Sequence, residues 1–206
     1  MAKSIDAIFD PTSQFVPISE GTYPAHITSL TSKEVNTRAG AAIVVNMQYK
    51  VADEVEEMEQ ALYEMDGYDY KLNNSGNRIP VMNGEGQAKT KCLHLKGKTF
   101  YDNGFFVFTD TSSASKNSRY FQLLEGLEIK CKDDAGIKKL VLIEEEDVMG
   151  KAVMVTVKKS QYVTKETRDL PVNEQVKRST FKVAIVDKWN GGKDISQDEI
   201  DDDVPF

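Results

Sequence analysis

The sequence predicts a mainly β chain: an antiparallel Greek-key barrel plugged by one helix, with an acidic insertion and an acidic end segment that cannot fold alone. Three observations carry that reading. Apolar and polar residues alternate with a period of two along several stretches, the mark of half-buried strands. The clearest helical spacing, through Tyr120, Phe121, Leu123, Leu124 and Leu127, falls between an aromatic strand and two late strands. Carboxylates collect in two base-free segments, residues 51–70 and 194–203.

Residues 1–20 read as an irregular lead-in, because Pro11 and Pro17 break any helix. A domain over 21–189 follows. Its first strand places Tyr23, Ala25 and Ile27 on one face, with Pro24 near the start, where a missing donor is tolerated. A turn at 36–40 leads to a second strand with Ile43, Val45, Met47, Tyr49 and Val51 opposite Asn46, Gln48 and Lys50, so the two form a hairpin. An insertion occupies about 52–97. Up to residue 70 it has helical composition, with Val55, Met58, Leu62 and Met65 three or four apart. Residues 71–90, rich in Asn and Gly, read as loop.

The aromatic stretch 99–109 breaks at Asn103-Gly104, which marks either a hairpin or a bulge within one strand. Ser115 or Asn117 can cap the helix at about 116–127. Residues 128–149 are ambiguous. A long strand from 150 sets Val153, Val155 and Val157 against Met154, Thr156, Lys158 and Tyr162. Leu170-Pro171 turns the chain into a last strand with Phe181, Val183 and Ile185 inward and Lys182, Ala184, Val186 and Lys188 outward. Residues 190–206 form an acidic tail without structure. A hairpin, a strand, a helix and two long strands suit the oligonucleotide/oligosaccharide-binding (OB) fold, and a generic antiparallel α+β sandwich gives the same pattern.

Net charge is −7 from 26 bases and 33 acids. Six acids lie from Asp194 onward and eight in 51–70; without them the body carries 19 acids against 26 bases, a net +7. A basic body with segregated acid fits an electrostatic nucleic-acid binder. Cys92 and Cys131 make no disulfide framework and fit a reducing cytoplasm. No secretory leader, membrane span or membrane partner is expected.

A sequence-tolerant single-strand binder needs Lys and Arg for phosphates and aromatic faces for unstacked bases. Bases and aromatics interleave at Lys96, Lys98, Tyr101, Phe105, Phe106 and Phe108. If Phe100, Phe106 and Phe108 pack the core, Tyr101 and Phe105 are the exposed pair; a bulge at Asn103-Gly104 changes that parity. Lys158, Lys159 and Tyr162 form a second set, and Lys182, Lys188 and Trp189 a third. Core packing competes with stacking at each aromatic. Cys92 and His94 offer two potential metal ligands on one strand face, but no Cys-x-x-Cys pair exists, and no metal or cofactor is expected. Phosphate loops, nucleophile elbows and separated carboxylates with a base are absent from the sequence, so no catalytic residue is expected.

The chain ends in Asp201, Asp202, Asp203, Val204, Pro205 and Phe206. Such a segment docks as a peptide: Phe206 fills an apolar pocket, its α-carboxylate meets a cation and the aspartates lie along a basic rim. These residues resemble the tip of bacterial and phage single-stranded DNA-binding proteins, and the order of elements over about 170 residues is similar to the phage proteins of that kind. The resemblance implies a non-enzymatic protein that coats and protects single-stranded DNA in replication, recombination and repair. It also implies a tail that recruits polymerase, helicase or recombinase partners. The alternative is a recombination or annealing accessory acting mainly through protein partners. A nuclease of unfamiliar type is a second alternative. Exchange of tails between two copies would give a homodimer, though no residue establishes it.

Overall fold

The computed structural model describes residues 20–67, 69–102, 104–110, 115–134 and 137–201. The expected lead-in up to residue 19 and the tip Asp202, Asp203, Val204, Pro205 and Phe206 lie outside these residues. In chain order the strands begin with β1 (Gly21–Thr37), β2 (Gly40–Val51), β3 (Glu57–Ala61), β4 (Met65–Asp66), β5 (Asp69–Tyr70), β6 (Thr90–His94), β7 (Thr99–Tyr101) and β8 (Phe105–Phe108). Helix α1 (Ser118–Gly126), strands β9 (Lys132–Asp134) and β10 (Ile137–Lys139), helix α2 (Glu145–Val148), the long strands β11 (Ala152–Val163) and β12 (Lys177–Lys188), and helix α3 (Gln197–Asp201) complete the order. The chain is mainly β, with antiparallel sheets.

The principal sheet has the order β12-β11-β1-β2-β7, and β8 pairs with β2 beyond β7. β1 serves two partners because it is long: its first six residues pair with β11, and Ala25 onward pairs with β2. A bulge between Ile27 and Ser29 inserts one residue and bends the strand from one partner toward the other. The inner face buries Tyr23, Ile27, Met47, Tyr49, Val155 and Val183 in one core. Their alternation along each strand is the period-two pattern of the sequence, and burial of such side chains is worth about 1.5–3 kcal/mol each.

The sheet does not close. α1 packs against both β8 and β12, and Gly126 lets its backbone approach β12: a Cβ there would lie 1.9 Å from the Val186 carbonyl oxygen. Arg119 on α1 donates to the Val183 carbonyl and lies over the Phe105 ring, so one side chain touches both edges of the open seam. The helix ends in a Schellman turn, with Glu128 N–H bonded to Glu125 and Ile129 N–H to Leu124. Glu128 takes φ 58°, a conformation that ordinarily falls to glycine. Asn117 is the N-cap residue, but its side chain bonds the backbone of Phe108 instead and ties α1 to β8. The contiguous acids also have structural work. Glu144 and Asp147 form a capping box on α2, and the Glu145 carboxylate accepts the Leu30 N–H beside the β1 bulge.

Residues 52–70 are not helical. β3 pairs with β6, its paired residues 29 to 37 positions apart, and Met58 turns toward the core while Glu57 and Glu59 face out. Helical spacing of Val55, Met58, Leu62 and Met65 was outweighed by this nonlocal pairing. Beyond β3 the chain forms two rings of three backbone hydrogen bonds. Leu62 N–H donates to Lys89, Lys89 to Val81, and Val81 back to Leu62; Glu64, Ile79 and Lys71 form the second ring. Asn73 and Asn83 each cap a turn by accepting two backbone N–H groups on Oδ1. The insertion is fastened to the sheet through Glu20, which pairs with Arg78 at 2.8 Å and accepts the Lys159 N–H at 2.7 Å.

Two further expectations change. A register shift in β12 opposite Thr156 and Val157 turns Val186 inward and leaves Ile185 exposed, the reverse of strict alternation. The segment after Trp189 is also structured as far as Asp201. Asp194 accepts the Ala152 N–H, Ile195 N–H donates to Gly150, the Lys193 carbonyl lies 3.0 Å from His26 Nε2, and Ile200 is buried.

Candidate nucleic-acid interface

β7 and β8 are one strand interrupted by a bulge, not the arms of a hairpin. Gln48 faces Tyr101 and Val45 faces Phe105, so the aromatic stretch advances four positions while β2 advances three; Asn103 itself lies outside the described residues. The extra residue inverts the alternation. Tyr101 and Phe106, an odd number of positions apart, therefore point to the same outward side, opposite Gln48 and Val44. They are 67% and 38% exposed. Phe108 stacks on Phe106 with ring centroids 6.2 Å apart, and Lys116 Nζ lies 5.5 Å from the Phe108 centroid. On the neighbouring strand Lys33 stands opposite Val44 and is exposed. Asn46 and Gln48 complete an outward row of amides, aromatics and cations.

Asp102 builds the bulge. Its backbone N–H donates to the Met47 carbonyl, while its carboxylate accepts from Met47 N–H at 3.1 Å, the Tyr49 hydroxyl at 3.2 Å and Gly104 N–H at 2.8 Å. Gly104 is required here: φ is 83°, and a Cβ would lie 2.7 Å from Val44 Cγ1. Burial pushes the Asp102 carboxyl up to about 6, against the three donors and Arg119, which act to lower it. Burial and then the Asp102 charge hold the Tyr49 hydroxyl well above the usual phenol range, which keeps it a donor.

A second outward row lies on β11 and β12. Lys158 stands directly opposite Lys182, and Tyr162, 45% exposed, opposite Arg178. Like charges placed across a strand pair repel by some tenths of a kcal/mol, and an anion between them removes that cost. The apolar tips Leu170, Val172 and Val176 of the following loop are exposed as well. β1 runs between the two rows: Ser29–Val35 flank the first, and its opening residue lies beside the second.

Other expected contacts are engaged elsewhere. Phe105 is 2% exposed and packs in the core beneath Arg119, because the bulge reverses its parity; it is no stacking residue. Lys96 pairs with Glu56 at 2.9 Å. Lys98 is half-buried in the turn before β7. Lys159 faces away from Lys158, with its ammonium 5.1 Å from the Tyr70 centroid, and helps to seat the insertion. Lys188 pairs with Glu128 at 2.7 Å. Trp189 is half-buried beside His26 and against Gly192, under the segment that leaves β12. Asp201 ends α3, and the rest of the tip lies outside the described residues.

No protein-family model, curated protein or solved structure matches this chain. The sequence reading missed Lys33, Lys116 and Arg178. Only Arg178 had a legible signal, since it shares the parity of Lys182 on one strand; Lys33 follows the β1 bulge, which reverses its face, and Lys116 precedes α1, outside any alternating stretch.

Proposed function

We propose that this chain binds single-stranded DNA without sequence preference, coats it during replication, recombination and repair, and performs no catalysis. The observation that carries the reading is the outward pair Tyr101 and Phe106, set on one face by the Asp102 bulge and bordered by Lys33, Asn46, Gln48 and Lys116. Aromatic faces for bases beside cations for phosphates are what a sequence-tolerant single-strand site requires. The strand order supports an OB-type body. That fold is a five-stranded, partly open Greek-key barrel that binds on the face of its second and third strands and on the loops joining its first to second and fourth to fifth. With β7 and β8 counted as one strand, the path β12-β11-β1-β2-β7/β8 has five members. Both outward rows fall on that face or on strands leading into those loops.

The acidic end segment extends the proposal. Ile200 and Glu199 line the same cleft as His26 and Lys50, and Lys50 continues the β2 row that holds Asn46 and Gln48. The tail Asp201, Asp202, Asp203, Val204, Pro205 and Phe206 competes with DNA for this face and, once displaced, recruits replication or recombination proteins. The deciding measurement is a titration of labelled oligo-dT at two salt concentrations, with the full chain and with a chain lacking residues 202–206. Salt-sensitive binding that tightens on truncation supports both parts. No binding by either chain overturns the DNA reading, and unchanged or weaker affinity after truncation overturns the competition.

A further inference from the structure

The outer face of the β3–β6 ribbon carries an uncommon set of side chains. Glu57 stands directly opposite His94, and Glu59 directly opposite Cys92. All four alternate away from Met58 and Leu93, which pack on the core. The carboxylate of Glu57 lies 2.9 Å from His94 Nδ1. The Glu57, Cys92 and His94 ligand atoms lie within 4.8 Å of one another. Tetrahedral zinc, with bonds of about 2.0–2.3 Å, needs ligand atoms about 3.3–3.8 Å apart, so small rotations of exposed side chains close the gap. Sequence spacing offered only Cys92 and His94; the third ligand comes from strand pairing.

We propose that Glu57, Cys92 and His94 bind a borderline divalent transition ion of the Zn(II) class, with Glu59 or water in the fourth position. One thiolate, one imidazole and one carboxylate are a donor set that selects such ions over Mg(II) or Ca(II). As the metal–sulfur bond forms, the Cys92 thiol proton leaves to solvent. The ion pins the two ends of the insertion to each other, joining strands that are otherwise held by five residue pairs. The open site exchanges its metal readily.

The test is a Co(II) titration of the tag-free full chain in a phosphine reductant, read by the thiolate-to-cobalt charge-transfer band and by the d–d bands of a tetrahedral ion. One equivalent is expected to saturate the signal, and Zn(II) to abolish it. C92S is expected to lose the charge-transfer band, H94A to weaken binding at least about tenfold, and C131S to behave as the parent. Circular dichroism verifies that each variant is folded, which the exposure of Cys92 and His94 favours and which matters most for C131S, whose side chain packs partly against the core. No saturable band, a band that survives C92S, or one lost in C131S overturns the assignment and leaves an ordinary cross-strand Glu–His pair.

Discussion

The Asp102 carboxylate accepts the Tyr49 hydroxyl at 3.2 Å inside the core, at the point where the outward aromatic row is built. Its folded pKa of about 6 lies above the ordinary carboxyl value of 3.8. The ionised form therefore costs stability above pH 6, and that cost is relieved as pH falls from 6 toward 3.8. The full span is about 3 kcal/mol at most. Asp102→Asn is expected to remove this dependence, since the amide does not titrate, while losing about 1–3 kcal/mol for a missing acceptor. Denaturant midpoints at pH 5 and pH 7.5 check it: the parent's advantage over D102N should be larger at pH 5.

Tyr101→Ala and Phe106→Ala should each weaken oligo-dT binding by about 1–3 kcal/mol, with little change in stability. Phe105→Ala, one position away in sequence, should instead lose about 3–5 kcal/mol of folding free energy. Paired binding and unfolding measurements separate the two outcomes. Weakened DNA binding by a stably folded F105A with unchanged binding by F106A would reverse the assignment of faces.

Lys158→Gln and Lys182→Gln should each reduce the slope of log affinity against log salt by about 0.7 for single strands. Relief of their mutual repulsion should leave stability unchanged or slightly higher. Lys188→Gln, which removes the partner of Glu128, should leave the slope alone. Fluorescence anisotropy across a salt series measures all three.

Glu128→Gly should stabilise the chain by about 1 kcal/mol, because the left-handed turn after α1 costs a residue with Cβ about that much. The exposed pair with Lys188 offsets little of the gain. Gly126→Ala should destabilise it by several kcal/mol, since its methyl meets the Val186 carbonyl. Thermal unfolding of both variants checks the pair.

The long strands were legible because each buries one face, so β1, β2, β11 and β12 show their period directly. α1 was legible for the corresponding reason at a period of 3.6. The insertion was not, because β3 finds its partner far along the chain and its rings of hydrogen bonds use backbone alone. Of the site, Tyr101 and Lys158 were readable from local alternation. Phe105 and Phe106 were exchanged, as Ile185 and Val186 were, because an inserted residue leaves little trace in composition. The end segment's resemblance motivates the proposed function, whereas the surface proposed for it follows from strand register.

A bulge behaves as a phase change in a two-letter code. The Asp102 bulge shifts the inside/outside pattern of everything after it in β8 by one position, and the irregularities in β1 and β12 do the same in their strands. A chain that follows the same path without these insertions would need its apolar and polar residues written one place over. Two such chains would then superpose in space while their patterns ran out of step.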